Sequence, residues 1–170
     1  VYATASGTLP NGKAVVVNSD GTVSTITAES EGFKNPVIFG GNTSGTFTSS
    51  TFDSNSNRIV IAYRDGSTGY GYAVVGTVNP ANNTISFGTR VVFESAYALY
   101  IAATFDSNLN KIVIAYQDAS NSGYTTSIVG TVNPANNSIS FGTAVVVRSA
   151  YANWVSATFD SNSNKVVITC

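Results

Sequence analysis

The sequence predicts an all-β protein made of tandem four-stranded antiparallel units of about 53 residues, and three observations carry that reading. The chain repeats itself nearly literally: residues 51–63 read TFDSNSNRIVIAY, 104–116 read TFDSNLNKIVIAY and 158–168 read TFDSNSNKVVI. β-Branched residues are dense, and no segment has apolar residues at helical spacing. Clusters of Asp, Asn, Ser, Gly and Pro interrupt the apolar runs at short intervals, and each of these residue types turns a chain for its own stereochemical reason.

In chain order, residues 1–36 form a leader and linker, and residues 37–170 form the repeat array. Within the leader, the runs Lys13 to Val17 and Thr22 to Ile26 flank Asn18-Ser19-Asp20-Gly21. Asp-Gly between two β runs predicts a hairpin, and residues 27–36 read as a linker. The array holds two full repeats and a partial third, and Val37-Ile38-Phe39 already matches Val91-Val92-Phe93 one cycle later.

Within the second repeat, strand one is expected from Ala98 to Phe105 and a turn at Asp106 to Asn110. Strand two, Lys111 to Gln117, contains an unbroken apolar run that suits burial on both faces. Strand three is expected from Tyr124 to Val132. Asn133-Pro134-Ala135-Asn136-Asn137 reads as a turn because Pro sets φ and Asn tolerates positive φ. Strand four is expected from Ser138 to Val147. The repeat of VGTVNPANNTISFGTRVV (75–92) as VGTVNPANNSISFGTAVV (129–146) carries the same pattern through the first unit.

Four short antiparallel strands in one such unit suggest a β-propeller-like blade. The alternatives are an open β-solenoid or a stacked β fibre, since sequence does not encode closure. One blade cannot bury both faces, so neighbouring units are expected to stack. Two and a half units are few for a closed ring. The expectation is therefore a piece of a longer array, closure by oligomerisation, or completion of each copy by strands of its neighbour. The start at Val1 reads as a trimmed or mature end. The sole cysteine, Cys170, is read as an interchain link or as the point where a longer array is cut.

Composition excludes several function classes. Eight Lys and Arg against nine Asp and Glu give a net charge of −1, too little cationic density for nucleic-acid binding. No apolar run reaches the length of a membrane-spanning helix, so no membrane insertion is expected. The chain has no histidine, which removes the commonest general base and the Ser-His-Asp triad. No enzyme activity is expected. Charged residues are 10% of the chain, against about 25% in typical soluble domains. Ser, Thr, Asn and Gly fill the polar positions instead, as suits a hydroxyl-rich outer surface.

The repeats TFDSNSNRIVIAYRD (51–65) and VGTVNPANNTISFGTRVVF (75–93), preceded by ASGTLPNGKAVVVNSDGTVS (5–24), resemble virion structural and tail-fibre repeat proteins of marine bacteriophages. The resemblance implies an extracellular or virion-surface structural protein, a fibre or decoration module with an adhesive role; the incomplete array leads to the expectation of self-association. It implies no catalytic residues. Two rival roles are an extracellular filament subunit joined by strand or blade exchange, and a lectin-like module that takes a cell-surface glycan.

Four groups of residues are candidates for chemistry. Asp53, Asn55 and Asn57, with Asp106, Asn108 and Asn110, match the start of a calcium loop with oxygens at alternate positions. The following Arg58 or Lys111 argues for a hairpin turn and for no bound cofactor. Asp65 and Asp118 end strand two of each unit and read as loop caps or as part of a shallow binding face. Tyr97, Tyr100, Tyr151 and Trp154 read as packing between units or as sugar-stacking rings. Asn42, Asn82 and Asn136 stand in Asn-x-Ser/Thr sequons and are candidate glycosylation sites.

Overall fold

The computed structural model describes residues 4–5, 15–25, 37–39 and 44–170. The described residues contain strands and turns and no helix, so the all-β class holds, and the sheets are open rather than closed into a barrel. The chain forms two compact units, Val1–Asn35 and Pro36–Cys170. The first holds a small sheet of β1 (Thr4–Ala5), β2 (Val15–Val17) and β3 (Thr22–Thr25). β2 and β3 pair antiparallel with Val17 opposite Val23. The turn between them closes as expected: Gly21 takes φ 82° and the Asp20 carboxylate accepts the Thr22 amide at 2.9 Å.

The larger unit repeats one design. Its first sheet is the meander β4 (Gly45–Asp53), β5 (Arg58–Asp65), β6 (Gly71–Asn79), β7 (Thr84–Phe87), with β8 (Val91–Glu94) on the same edge of β6 as β7. The second sheet repeats this as β9 (Ala98–Asp106), β10 (Lys111–Asp118), β11 (Tyr124–Asn133), β12 (Ser138–Phe141) and β13 (Val145–Tyr151). A third sheet holds only β14 (Ser156–Asp160) and β15 (Lys165–Thr169). The fourth strand expected at Ser138 to Val147 is thus two strands. Gly142-Thr143-Ala144 leaves the ladder between them, as Gly88-Thr89-Arg90 does in the first sheet.

The sheets stack face to face, with the first strands β4, β9 and β14 adjacent. Val60, Ala62, Ala73 and Val75 of the first sheet share one core with Ile101, Phe105, Ile112, Ile114, Tyr116, Ile128 and Ile139 of the second. Period-two alternation makes this possible: Val60 and Ala62 point one way along β5, while their counterparts of Ile112 and Ile114 (Ile59 and Ile61) point the other. The front of one sheet therefore meets the back of the next. Phe39, from the segment that matches the fourth strand, packs on Tyr63 at 5.2 Å and Phe87 at 6.1 Å. Phe93 repeats this on Tyr116 at 5.2 Å and Phe141 at 6.0 Å. The Tyr116 hydroxyl donates to Glu94 at 2.9 Å. Burial pushes its phenol well up, and the Glu94 carboxylate adds to the shift.

A polar clasp joins the outer turns. Arg58 Nε and the Thr77 hydroxyl donate to Asn137 Oδ1 at 2.7 and 3.0 Å, and Arg58 Nη2 donates to the Pro134 carbonyl at 2.9 Å. Gly88 lies against the Asn137 carbonyl so closely that a side chain there would collide.

Equivalent positions differ in burial according to what covers them. Phe105 is 8% exposed and its counterpart Phe52 54%; Ile114 is fully buried and Ile61 half-buried. Ile114→Ala is therefore expected to cost about 2–5 kcal/mol. Ile61→Ala is expected to cost less than about half of that, because less apolar area is removed from water at this site. Urea unfolding of the two variants checks this, and equal losses would refute the stacking order.

Candidate functional site

Most polar residues with a catalytic or metal-binding look are consumed by the turns that hold the strands. Asp53 Oδ1 accepts the amides of Asn55 and Ser56 at 3.0 Å each, and Oδ2 accepts the Ser56 hydroxyl at 2.6 Å. Asp106 accepts the amides of Asn108 and Leu109 at 2.9 Å. Asn57 and Asn110 take φ of 55° and close the turns. In the third copy, the Ser163 hydroxyl and then the Asn162 and Ser163 amides hold the Asp160 carboxyl below the usual carboxylate range. Asn55, Asn57, Asn108 and Asn110 are exposed. Among the described residues, no group of three or more His, Cys, Asp or Glu is placed to hold a metal ion.

Asp65 and Asp118 cap the next loop and are buried. Asp65 Oδ1 accepts the Ser67 amide and hydroxyl and the Thr68 amide. Its Oδ2 pairs with Arg90 at 2.5 Å, and Arg90 lies over the Tyr72 ring at 4.2 Å. Asp118 repeats the cap with Ser120 and Asn121, but Ala144 stands where the first unit has Arg90. Neither carboxylate lies on an open binding face. The sequon residues Asn82 and Asn136 are exposed, and each Oδ1 accepts the hydroxyl of its own Thr84 or Ser138 at 2.7 Å. Asn42 lies outside the described residues. Cys170 is exposed, with Arg148 Nη1 at 3.8 Å from its sulfur.

The aromatic candidates separate. Tyr151 packs its ring edge beside Gly123, and Tyr97 lies on the loop before β9. Tyr100 and Trp154 belong to a ladder whose third member, Phe47, the sequence reading missed. The three rings stand four residues before the Thr of each Thr-Phe-Asp run, an offset that would have revealed Phe47. Phe47 and Tyr100 have ring centroids 5.2 Å apart, and Tyr100 and Trp154 5.1 Å. Each ring thus packs on the ring of the next unit, and Phe47 also lies against the core that holds Phe93, Phe105 and Tyr116.

The backbone at the ladder is strained in the same way three times. Phe47, Tyr100 and Trp154 take φ of 50°, 49° and 62°, in the left-handed region that bulky residues rarely adopt. In the first two copies a β-bulge is responsible. Thr46 pairs with Arg64 and Ser49 with Ala62, so Phe47 and Thr48 together oppose Tyr63. Tyr100 and Ile101 oppose Tyr116 in the same manner. The left-handed position of such a bulge ordinarily takes glycine. Phe47, Thr48, Tyr100, Ile101, Trp154, Val155 and Ser156 line an open groove of about 280 Å³. Arg64 lies over Phe47 at 4.8 Å and within 5.7 Å of the Tyr97 ring, and its Nε donates to Thr46 Oγ1 at 3.0 Å. Arg64 brings a cation to the Phe47 end of the groove.

No protein-family model, curated protein or solved structure matches the chain.

Trp154 is 79% exposed, so its ring recovers little through packing. Left-handed strain of about 1–2 kcal/mol and the ring contact with Tyr100, about 0.5–1.5 kcal/mol, nearly cancel. Trp154→Gly is therefore expected to change stability by less than about 1 kcal/mol, with glycine's own chain entropy included. A loss above about 2 kcal/mol in chemical denaturation would make Trp154 a packing residue.

Proposed function

We propose that the chain is a non-enzymatic structural module of an extracellular or virion surface, a fibre or decoration element that displays blade-like β units. The observation that supports this most is the recurrence of the inter-sheet joint. Phe39 on Tyr63 and Phe87, and Phe93 on Tyr116 and Phe141, repeat within 0.1 Å. Such a joint extends an array by adding copies and builds length without a unique centre. The turn carboxylates, engaged by their own loops, offer no paired acid and base. The neutral, hydroxyl-rich surface and the likeness of the repeats to phage fibre proteins agree with this role. Immunogold labelling of the producing culture is expected to mark particles, appendages or cell envelopes. Label confined to the cell interior would refute the proposal.

A second reading, a filament subunit, is favoured by a separate observation. The partly exposed back of the first sheet (Phe52, Ile59, Ile61) repeats the residues that the second sheet buries (Phe105, Ile112, Ile114). The exposed Val167 of β15 repeats the buried Val60 and Val113. The outer faces are thus copies of two surfaces that already fit each other, the condition for head-to-tail growth. Light scattering after size exclusion under reducing conditions is expected to give a ladder of multiples or a polymer if copies stack. A single discrete mass would refute the filament reading.

A further inference from the structure

We propose that the groove along Phe47, Tyr100 and Trp154 is a binding site for pyranose sugars. It gives the adhesive part of the surface role a ligand class and rests on that reading for its biological sense, though not for its geometry. Three features point to this ligand.

The first is backbone strain at a position that glycine would take without it. A bulge needs a left-handed residue, and glycine fills that place without penalty. The chain puts a large ring at a left-handed position in all three copies, at a β-bulge in the first two. Backbone strain retained in this way marks positions where the side chain has work to do. Phe47 and Tyr100 are partly buried, and Trp154, the last ring of the ladder, is mostly exposed.

The second is the character of the groove. It is lined by the three aromatic rings, by Ile101 and Val155, and by Thr48 and Ser156, both of them exposed. A pyranose has one face of C–H groups and a perimeter of hydroxyls. The C–H face meets the electron-rich face of an indole, and the hydroxyls meet Thr48, Ser156 and water. The groove has room for one or two sugar rings, consistent with weak single-site binding.

The third is repetition. Ring-to-ring steps of 5.2 and 5.1 Å place like groups side by side, so further units would lengthen the same line of rings. Weak contacts to a polymeric glycan then add through effective concentration.

The chain has a single tryptophan, so its emission reports on this groove alone. Titration of the full chain with oligomers of cellulose, chitin, mannan, polygalacturonate and sulfated galactan is expected to give a saturable blue shift or quench with at least one probe. Calorimetry with that probe is expected to show at least about tenfold weaker binding for Trp154→Ala. Trp154→Phe should retain part of the affinity and Asn82→Gln all of it. A preference for the acidic or sulfated probes that is lost in Arg64→Gln would further support the site by placing the ligand at its Phe47 end. No saturable response to any probe, or undiminished binding by Trp154→Ala with native circular dichroism, would overturn the assignment. Surface labelling without glycan binding refutes this site alone, whereas glycan binding by an internal protein refutes the surface role alone.

Discussion

The structure depends on the stacking of one sheet's front against the next sheet's back. Each five-stranded sheet is apolar on both sides, and its second strand carries Ile, Val and Ala without a polar face. Such a strand is favourable only when both faces leave water. β10 meets this condition because the sheet of β4 to β8 covers one face and β14 approaches the other. Everything peripheral follows: the Phe93–Tyr116 joint, the Arg58–Asn137 clasp and the adjacency of the first strands.

That dependence explains why polar residues are spent locally. Short hairpins need their turns closed without help from a helix or a disulfide. Asp at the start of a turn accepts two amides, and Asn at its end takes positive φ. Asp53, Asp106 and Asp160 each accept a backbone amide two residues on, so the carboxylates spaced like metal ligands serve as turn formers. Asp65 and Asp118 show how a repeat drifts. The cap is kept in both, but the Arg90 ion pair exists in one unit and is replaced by Ala144 in the other, which leaves the fold unchanged because the cap itself comes from the Ser and Thr or Asn that follow.

The aromatic ladder stands apart from this economy. Phe47 and Tyr100 lie where the first strand is wrung by a bulge, and the bulge interrupts the alternation of the strand there. Strand-one alternation in the sequence assigned Tyr100 to a regular strand. Two residues opposing Tyr116 change which way every residue N-terminal to the bulge points.

By itself the sequence determined the all-β class, the unit length and the hairpin and turn positions, because these rest on period-two patterning and on the stereochemistry of Asp, Asn, Gly and Pro, all local properties; the double burial expected of strand two is met in β10 and not in β5 or β15. It also carried the offset that marks Phe47, Tyr100 and Trp154 as one position. Tertiary structure alone decided three things. It split the fourth strand at Gly-Thr, because the bulge there is a property of pairing with β6 and β11. It put the same residues into different environments: Val60, Val113 and Val167 are 0%, 9% and 47% exposed, since burial belongs to the neighbour and not to the residue. And it gathered three rings, 53 and 54 residues apart, into one groove, because only stacking brings successive first strands side by side.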